Sequence, residues 1–141
     1  MAAAFLLDAN VLVALAWPDH EFHEKTGRWF ERHSHLGWAT CPLTQAALVR
    51  ILCNPALANA LTPQAALEVL GKNVQLPNHF FWADDIPLLE AIRGMERRVT
   101  GHRQITHAYL VGLAARRKAR FATLDKGAAA WGIPAAVEFI G

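Results

Sequence analysis

The sequence predicts an α/β sandwich built on a mostly parallel sheet, and three observations carry that prediction. Short apolar runs of strand length recur along the chain, segments of helical spacing separate them, and two of the runs, residues 4–7 and 121–124, each lead into an aspartate. Strands that alternate with helices pair in parallel, because each helix carries the chain back across a face of the sheet. Composition agrees: hydrophobic residues make up 53% of the 141 and charged residues 18%, the balance of a chain that buries a core. A chain of this length is expected to form one domain, residues 1–141, with no need of disulfides or a structural metal.

Residues 3–7 read as a buried strand. Residues 10–15 have the apolar spacing of a helix, which Trp17-Pro18 stops because proline offers no backbone N–H and crowds the preceding turn. A second helix is expected from Asp19-His20-Glu21, with Phe22, Trp29 and Phe30 on its inner face. The stretch GWATCPLT, residues 37–44, reads as strand then turn, and Pro42 opens a third helix that carries Leu48, Ile51 and Leu52 inward before ending near Asn54-Pro55. Thr62-Pro63 caps a fourth helix that Gly71 is expected to stop, and VQLP reads as an extended piece leading to His79-Phe80-Phe81. A fifth helix is expected after Ile86-Pro87, with Asp84 and Asp85 as its caps. The spacing then predicts one long helix over 102–117, a buried strand in RFATLD and a last short strand in VEFI.

No apolar stretch runs far enough to cross a bilayer before Asp8, Pro18 or Arg50 interrupts it, and the N-terminus lacks the basic start and cleavage site of a signal peptide. A cytoplasmic protein with no membrane partner is expected. Cys41 and Cys53 lack metal-type spacing and read as buried apolar residues, as do most of the tryptophans at 17, 29, 38, 82 and 131. The net charge of +2 conceals an asymmetry: residues 93–126 hold nine of the fourteen Lys and Arg against only Glu96 and Asp125. That distribution suits a face that binds a polyanion such as nucleic acid, although a solvated Arg-rich helix produces the same pattern. Arg103, near the start of the long helix, and Arg116 and Arg117 near its end are the candidate phosphate contacts; the last two also suit the negative end of a helix.

In parallel sheets the functional crevice lies outside the carboxyl ends of the strands, where Asp8 and Asp125 both stand. Two carboxylates brought together there repel unless a cation lies between them, and a divalent ion such as Mg2+, commonly held by one or two carboxylates plus a substrate phosphate, answers that need. Taken singly, Asp8 reads first as the cap of the following helix and Asp125 as the cap of the turn LDKG; the matched pair of strand-end acids reverses that preference. Thr123 projects to the same side of its strand as Asp125, and Thr44 reads as a helix cap whose hydroxyl is also placed to hold a water. His20 and His23 lack the four-residue spacing of a zinc helix and read as helix surface. A phosphatase with Asp8 as nucleophile is a rival, weakened by Asn10 where a second acid is wanted.

Four stretches in order, LLDANVLVAL, ATCPLTQAALVRIL, HRQITHAYLVGLA and ARFATLDKG, make the chain resemble the PIN-domain family, and more closely the VapC toxins of bacterial VapBC toxin–antitoxin pairs, from residue 5 to about residue 128. The resemblance implies a three-layer α/β/α fold and a metal-dependent endoribonuclease that cuts structured RNA, such as transfer or ribosomal RNA, through a metal-activated water. It further implies Mg2+ or Mn2+ as cofactor, a VapB-type antitoxin as partner and a homodimer. By position, the family's first and last carboxylates fall on Asp8 and Asp125, with Asn10 completing the first motif. The second acid, three residues after Thr44, is replaced by Ala47, leaving Gln45 as the nearest polar group. The third acid is replaced by His107 in THAYL.

Imidazole suits Zn2+, Mn2+ or Fe2+ better than Mg2+, and it removes a negative charge from the site. Three readings of His107 stand open: a nitrogen ligand in a site that prefers Mn2+, an acid, base or phosphate contact without metal, or a mark of lost activity in a module that binds RNA or antitoxin without cutting. Asp8, His107 and Asp125 are therefore the expected catalytic and metal residues. Arg103, Arg116 and Arg117 are the expected substrate contacts, and Asn10, Thr44, Gln45 and Thr123 the supports.

Overall fold

The computed structural model describes residues 2–131 and 134–141, with the side chains of 129–131 and 134, Trp131 among them, outside the described part. Its strands are β1 (Phe5–Leu7), β2 (Trp38–Thr40), β3 (His79–Phe81), β4 (Arg120–Thr123) and β5 (Val137–Phe139). They form one sheet in the order β3-β2-β1-β4-β5, every pairing parallel. Alternation along the strands sorts the core into two layers. Phe5, Leu7, Trp38 and Ala122 face one side, where they meet α1 (Ala9–Ala16), α2 (His23–His33), α3 (Pro42–Leu52) and α4 (Pro63–Asn73). Leu6, Ala39 and Phe121 face the other, against α5 (Leu88–Ala91) and α6 (Ile105–Arg116). The result is the three-layer α/β/α sandwich.

Several boundaries depart from expectation for local reasons. The second helix begins at His23 rather than Asp19, because the His20 ring accepts the Phe22 N–H at 3.0 Å and holds a turn there. Thr62 caps α4 by accepting the Ala65 N–H, but α4 runs through Gly71 to Asn73, since Gly71 keeps a helical, negative φ instead of the left-handed conformation that ends helices. VQLP forms no strand, and the edge strand starts at His79. Asp84 and Asp85 cap nothing: α5 is a single turn with Pro87 at its N-cap, and Asp85 pairs instead with Arg117 at 3.2 Å. The segment His102–Gln104 is a 3-10 turn, so the long helix proper starts at Ile105.

Helix α6 is buried along most of its length and carries His107 on its first turns. Its close approach to α5 depends on Gly112, where a Cβ would run into the carbonyl of Ala91. Gly112→Ala is therefore expected to lower unfolding free energy by about 2 kcal/mol, as overpacked core sites do, with a matching drop in the denaturant midpoint.

Candidate functional site

The chain lays down β1, β2 and β3 outward to one side, then crosses back through α6 to place β4 on the other side of β1. This is the topological switch point, where connections diverge and the ends of adjacent strands open a crevice. Leu7 pairs with Ala122, and the Asp8 N–H donates to the Ala122 carbonyl at 2.9 Å, so the residues following β1 and β4 emerge side by side.

Asp8 is only 4% exposed. It occupies the N-cap position of α1, yet its side chain makes no capping hydrogen bond, so the cap reading fails for this residue. A carboxylate held that deep requires donors or a cation. One donor is Thr123, whose hydroxyl gives its proton to Asp8 Oδ2 at 2.7 Å. The same oxygen of Thr123 accepts the Asp125 N–H at 3.0 Å and the Asn10 side-chain amide at 3.4 Å, which fills the bonding capacity of a hydroxyl. Asn10 returns its carbonyl oxygen to the Leu124 N–H at 3.2 Å. Asn10 and Thr123 thus clamp the start of α1 to the end of β4 and fix the direction of Asp8. Thr123→Val keeps the shape but strips Asp8 of a donor and leaves the Asp125 N–H without its acceptor. It is expected to cost about 1–3 kcal/mol of stability, measured by denaturant unfolding.

Asp125 uses its two oxygens differently. Oδ1 accepts the Gly127 N–H at 2.8 Å, the turn contact expected of LDKG, while Oδ2 faces the crevice. Between the carboxylates lies His107, with Nε2 at 3.3 Å from Asp8 Oδ2 and Nδ1 at 3.5 Å from Asp125 Oδ2. These are long contacts, nearer to charge pairing than to ideal hydrogen bonds. The Asp8 carboxylate, followed by the fields of Asp8 and Asp125, raises the His107 pKa above its ordinary value against the opposing pull of burial. The positive end of α6 also disfavours a charged imidazole at this position, so the two acids dominate.

The fold therefore favours protonated His107 when no metal competes for the acids. Its contribution to stability is complete below the unfolded value near 6.5 and fades as pH rises through the higher folded value. In chelator-treated protein, thermal stability is expected to decline from about pH 6.5 upward relative to His107→Gln, whose profile lacks that component.

Asp8, Asn10, His107, Thr44 and Arg103 line one cleft of about 270 Å³. Thr44 is buried and bonded to the Cys41 backbone, closing the N-terminus of α3. Ala47 lines the cleft at the position where the resemblance called for an acid. Gln45 does not line it; its amide donates to Thr40 at 2.9 Å, and Thr40 meets His79 at 2.7 Å. Arg116 and Arg117 lie toward the far end of α6. Arg116 pairs with Glu90 at 2.9 Å, and Arg117 pairs with Asp85 and stacks over Trp82. Arg50 also lines the cleft, although in the sequence it is a lone charge that interrupts an apolar helix. Its signal was its place one turn beyond Ala47, on the same helix face.

The model of the PIN domain matches residues 5–132. The chain belongs to the PIN-domain family. This PIN domain is 43% identical over 121 residues to ribonuclease VapC39 of Mycobacterium tuberculosis, covering 85% of this chain and 87% of the relative. It is also 43% identical over 123 residues to ribonuclease VapC38 of the same organism, covering 86% and 85%. It is a VapC-like PIN domain. Among solved structures, FitAcB from Neisseria gonorrhoeae aligns with a TM-score of 0.69 at 19% identity, covering 96% of this chain and 97% of that one. PAE2754 from Pyrobaculum aerophilum aligns at 0.64 and 24% identity, covering 97% and 84%. At those identities the likeness concerns the fold.

Proposed function

We propose that this VapC-like PIN domain is a divalent-metal-dependent endoribonuclease toxin that cuts structured RNA, such as transfer or ribosomal RNA, in the cytoplasm. The observation that carries the reading is the buried Asp8 carboxylate, which makes no side-chain cap and, with Asp125, flanks the ring of His107. The ribonuclease relatives support it.

The donor set fits a divalent cation of a particular kind. Among the described residues no three acidic, His or Cys side chains form a ready-made cage. Two carboxylates with an adjoining imidazole instead suit an ion that keeps waters and takes further ligands from its substrate. Asp8 and Asp125 would hold it, with His107 supplying a nitrogen once it has released its proton. When bound, such an ion lowers the pKa of a water and offsets charge building on the phosphodiester.

The rest of the work falls to the chain. Thr123 and Asn10 keep Asp8 from rotating, the Gly127 N–H orients Asp125, and Arg103 holds a phosphate at the cleft. The His107 proton must leave on loading, so affinity for Mn2+ is expected to rise with pH through the His107 titration, with protons released in proportion; calorimetry in buffers of different ionisation heat measures this.

One observation favours a second reading, a PIN module that binds RNA or an antitoxin without cutting: the His107 ring stands 3.3 Å from Asp8 and 3.5 Å from Asp125, where its proton offsets part of their charge without a metal. Incubating purified protein with total cellular RNA in Mg2+, Mn2+ or EDTA separates the two. Cleavage in Mn2+ that EDTA stops supports the nuclease, whereas RNA binding in EDTA with no cutting under any metal supports the module. A VapB-type antitoxin and a homodimer are proposed as partners; exposed Leu89, Phe81 and Leu67 supply apolar surface for such contacts. Light scattering of the chain alone and with the product of a neighbouring reading frame tests both.

A further inference from the structure

We propose that Arg50, from α3, and Arg103, from the turn before α6, grip one RNA phosphate together at the mouth of the Asp8 cleft, and that the alanine at position 47 is what leaves Arg50 free to do so. The proposal rests on the ribonuclease reading and adds a substrate contact to it.

Three observations lead there. Both guanidinium side chains line the cleft that holds Asp8 and His107, and neither makes a hydrogen bond or ion pair among the described residues. The arginines near the end of α6 and on β4 are matched instead: Arg116 to Glu90 at 2.9 Å, Arg117 to Asp85 at 3.2 Å and Arg120 to Glu138 at 3.0 Å. The cations left unmatched at the site are thus the ones facing the carboxylates.

The second observation is spacing. Ala47 and Arg50 are three residues apart on α3 and line the same cleft. An acid at 47 would pair with Arg50 across one helical turn and turn its fork away from an incoming anion. Alanine provides no such partner.

The third is charge. The lining of the cleft holds two guanidiniums, Arg50 and Arg103, against one carboxylate, Asp8. A phosphodiester carries one negative charge, and the planar fork of arginine binds its oxygens in pairs, which an ammonium cannot do. The RNA phosphate is therefore drawn in by Arg50 and Arg103 before a metal contributes.

The test is binding of a short fluorescein-labelled RNA stem-loop in EDTA, where nothing is cut, over a range of salt concentrations. Arg50→Ala is expected to weaken binding about tenfold and to flatten the dependence of log affinity on log salt by about 0.7, the loss of one phosphate contact. Arg50→Lys is expected to recover the slope but only part of the affinity. Arg28→Ala, an exposed cation on α2, serves as the control and is expected to do neither. Arg50 is exposed, so the variants are expected to melt with the wild type.

Wild-type affinity and slope in Arg50→Ala, or a loss no larger than that of Arg28→Ala, overturns the clamp. Cleavage in Mn2+ with an unchanged KM in Arg50→Ala overturns it while leaving the ribonuclease reading intact. Failure of the wild type both to bind and to cut RNA overturns the two together.

Discussion

Asp8→Asn is expected to reduce RNA cleavage by at least about 10³-fold while the protein remains folded, because the metal contribution to transition-state charge is worth several kcal/mol. The amide nearly matches the carboxylate in shape, and its oxygen still accepts the Thr123 hydroxyl, so the clamp between α1 and β4 persists. What is lost is one of the two negative charges that converge on the crevice, together with the main influence raising the His107 pKa. Single-turnover cleavage in Mn2+ beside a thermal melt reads both halves. A variant that cuts within about threefold of wild type would place the chemistry elsewhere.

His107→Asp is expected to change the metal preference and to reverse the response of stability to metal. Without a cation, three carboxylates crowd the switch point and repel, so the variant is expected to melt well below the wild type in EDTA. Added Mg2+ relieves that repulsion; at a hundredfold excess over the dissociation constant the gain is about 2.7 kcal/mol, several degrees in melting temperature. The wild type is expected to respond more to Mn2+ than to Mg2+, since its third donor is a nitrogen. Cleavage in Mg2+ is expected to rise in the variant. A variant that is as stable as wild type in EDTA and indifferent to Mg2+ would show that His107 does not stand between the acids in solution.

Much of this arrangement was legible in the sequence, and the parts that were not share a cause. The strand-end acids could be read because a charge at the end of a buried run is costly without a partner, and the order of apolar segments put both at the same edge of the sheet. Thr123 followed from the two-residue period of its strand. Long-range pairing was invisible: the basic stretch looked like one polyanion face, but Glu90 and Asp85 claim Arg116 and Arg117 from 26 and 32 residues away. Gln45 looked like a stand-in for the absent acid, yet Thr40 at the end of β2 draws it off. Gly71 permits the left-handed turn that stops a helix but does not require it, and α4 continues to Asn73. The role of Arg50 depends on Ala47 lining the same cleft, a fact of three dimensions.

Asp8 and Asp125, far apart in the chain, are proposed to hold one divalent cation jointly. Titration of Mn2+ into the wild type, Asp8→Asn and Asp125→Asn, followed by electron paramagnetic resonance of the free ion, tests it most directly. One site per chain is expected in the wild type, and its loss in either variant alone. Binding that survives unchanged in both would contradict it.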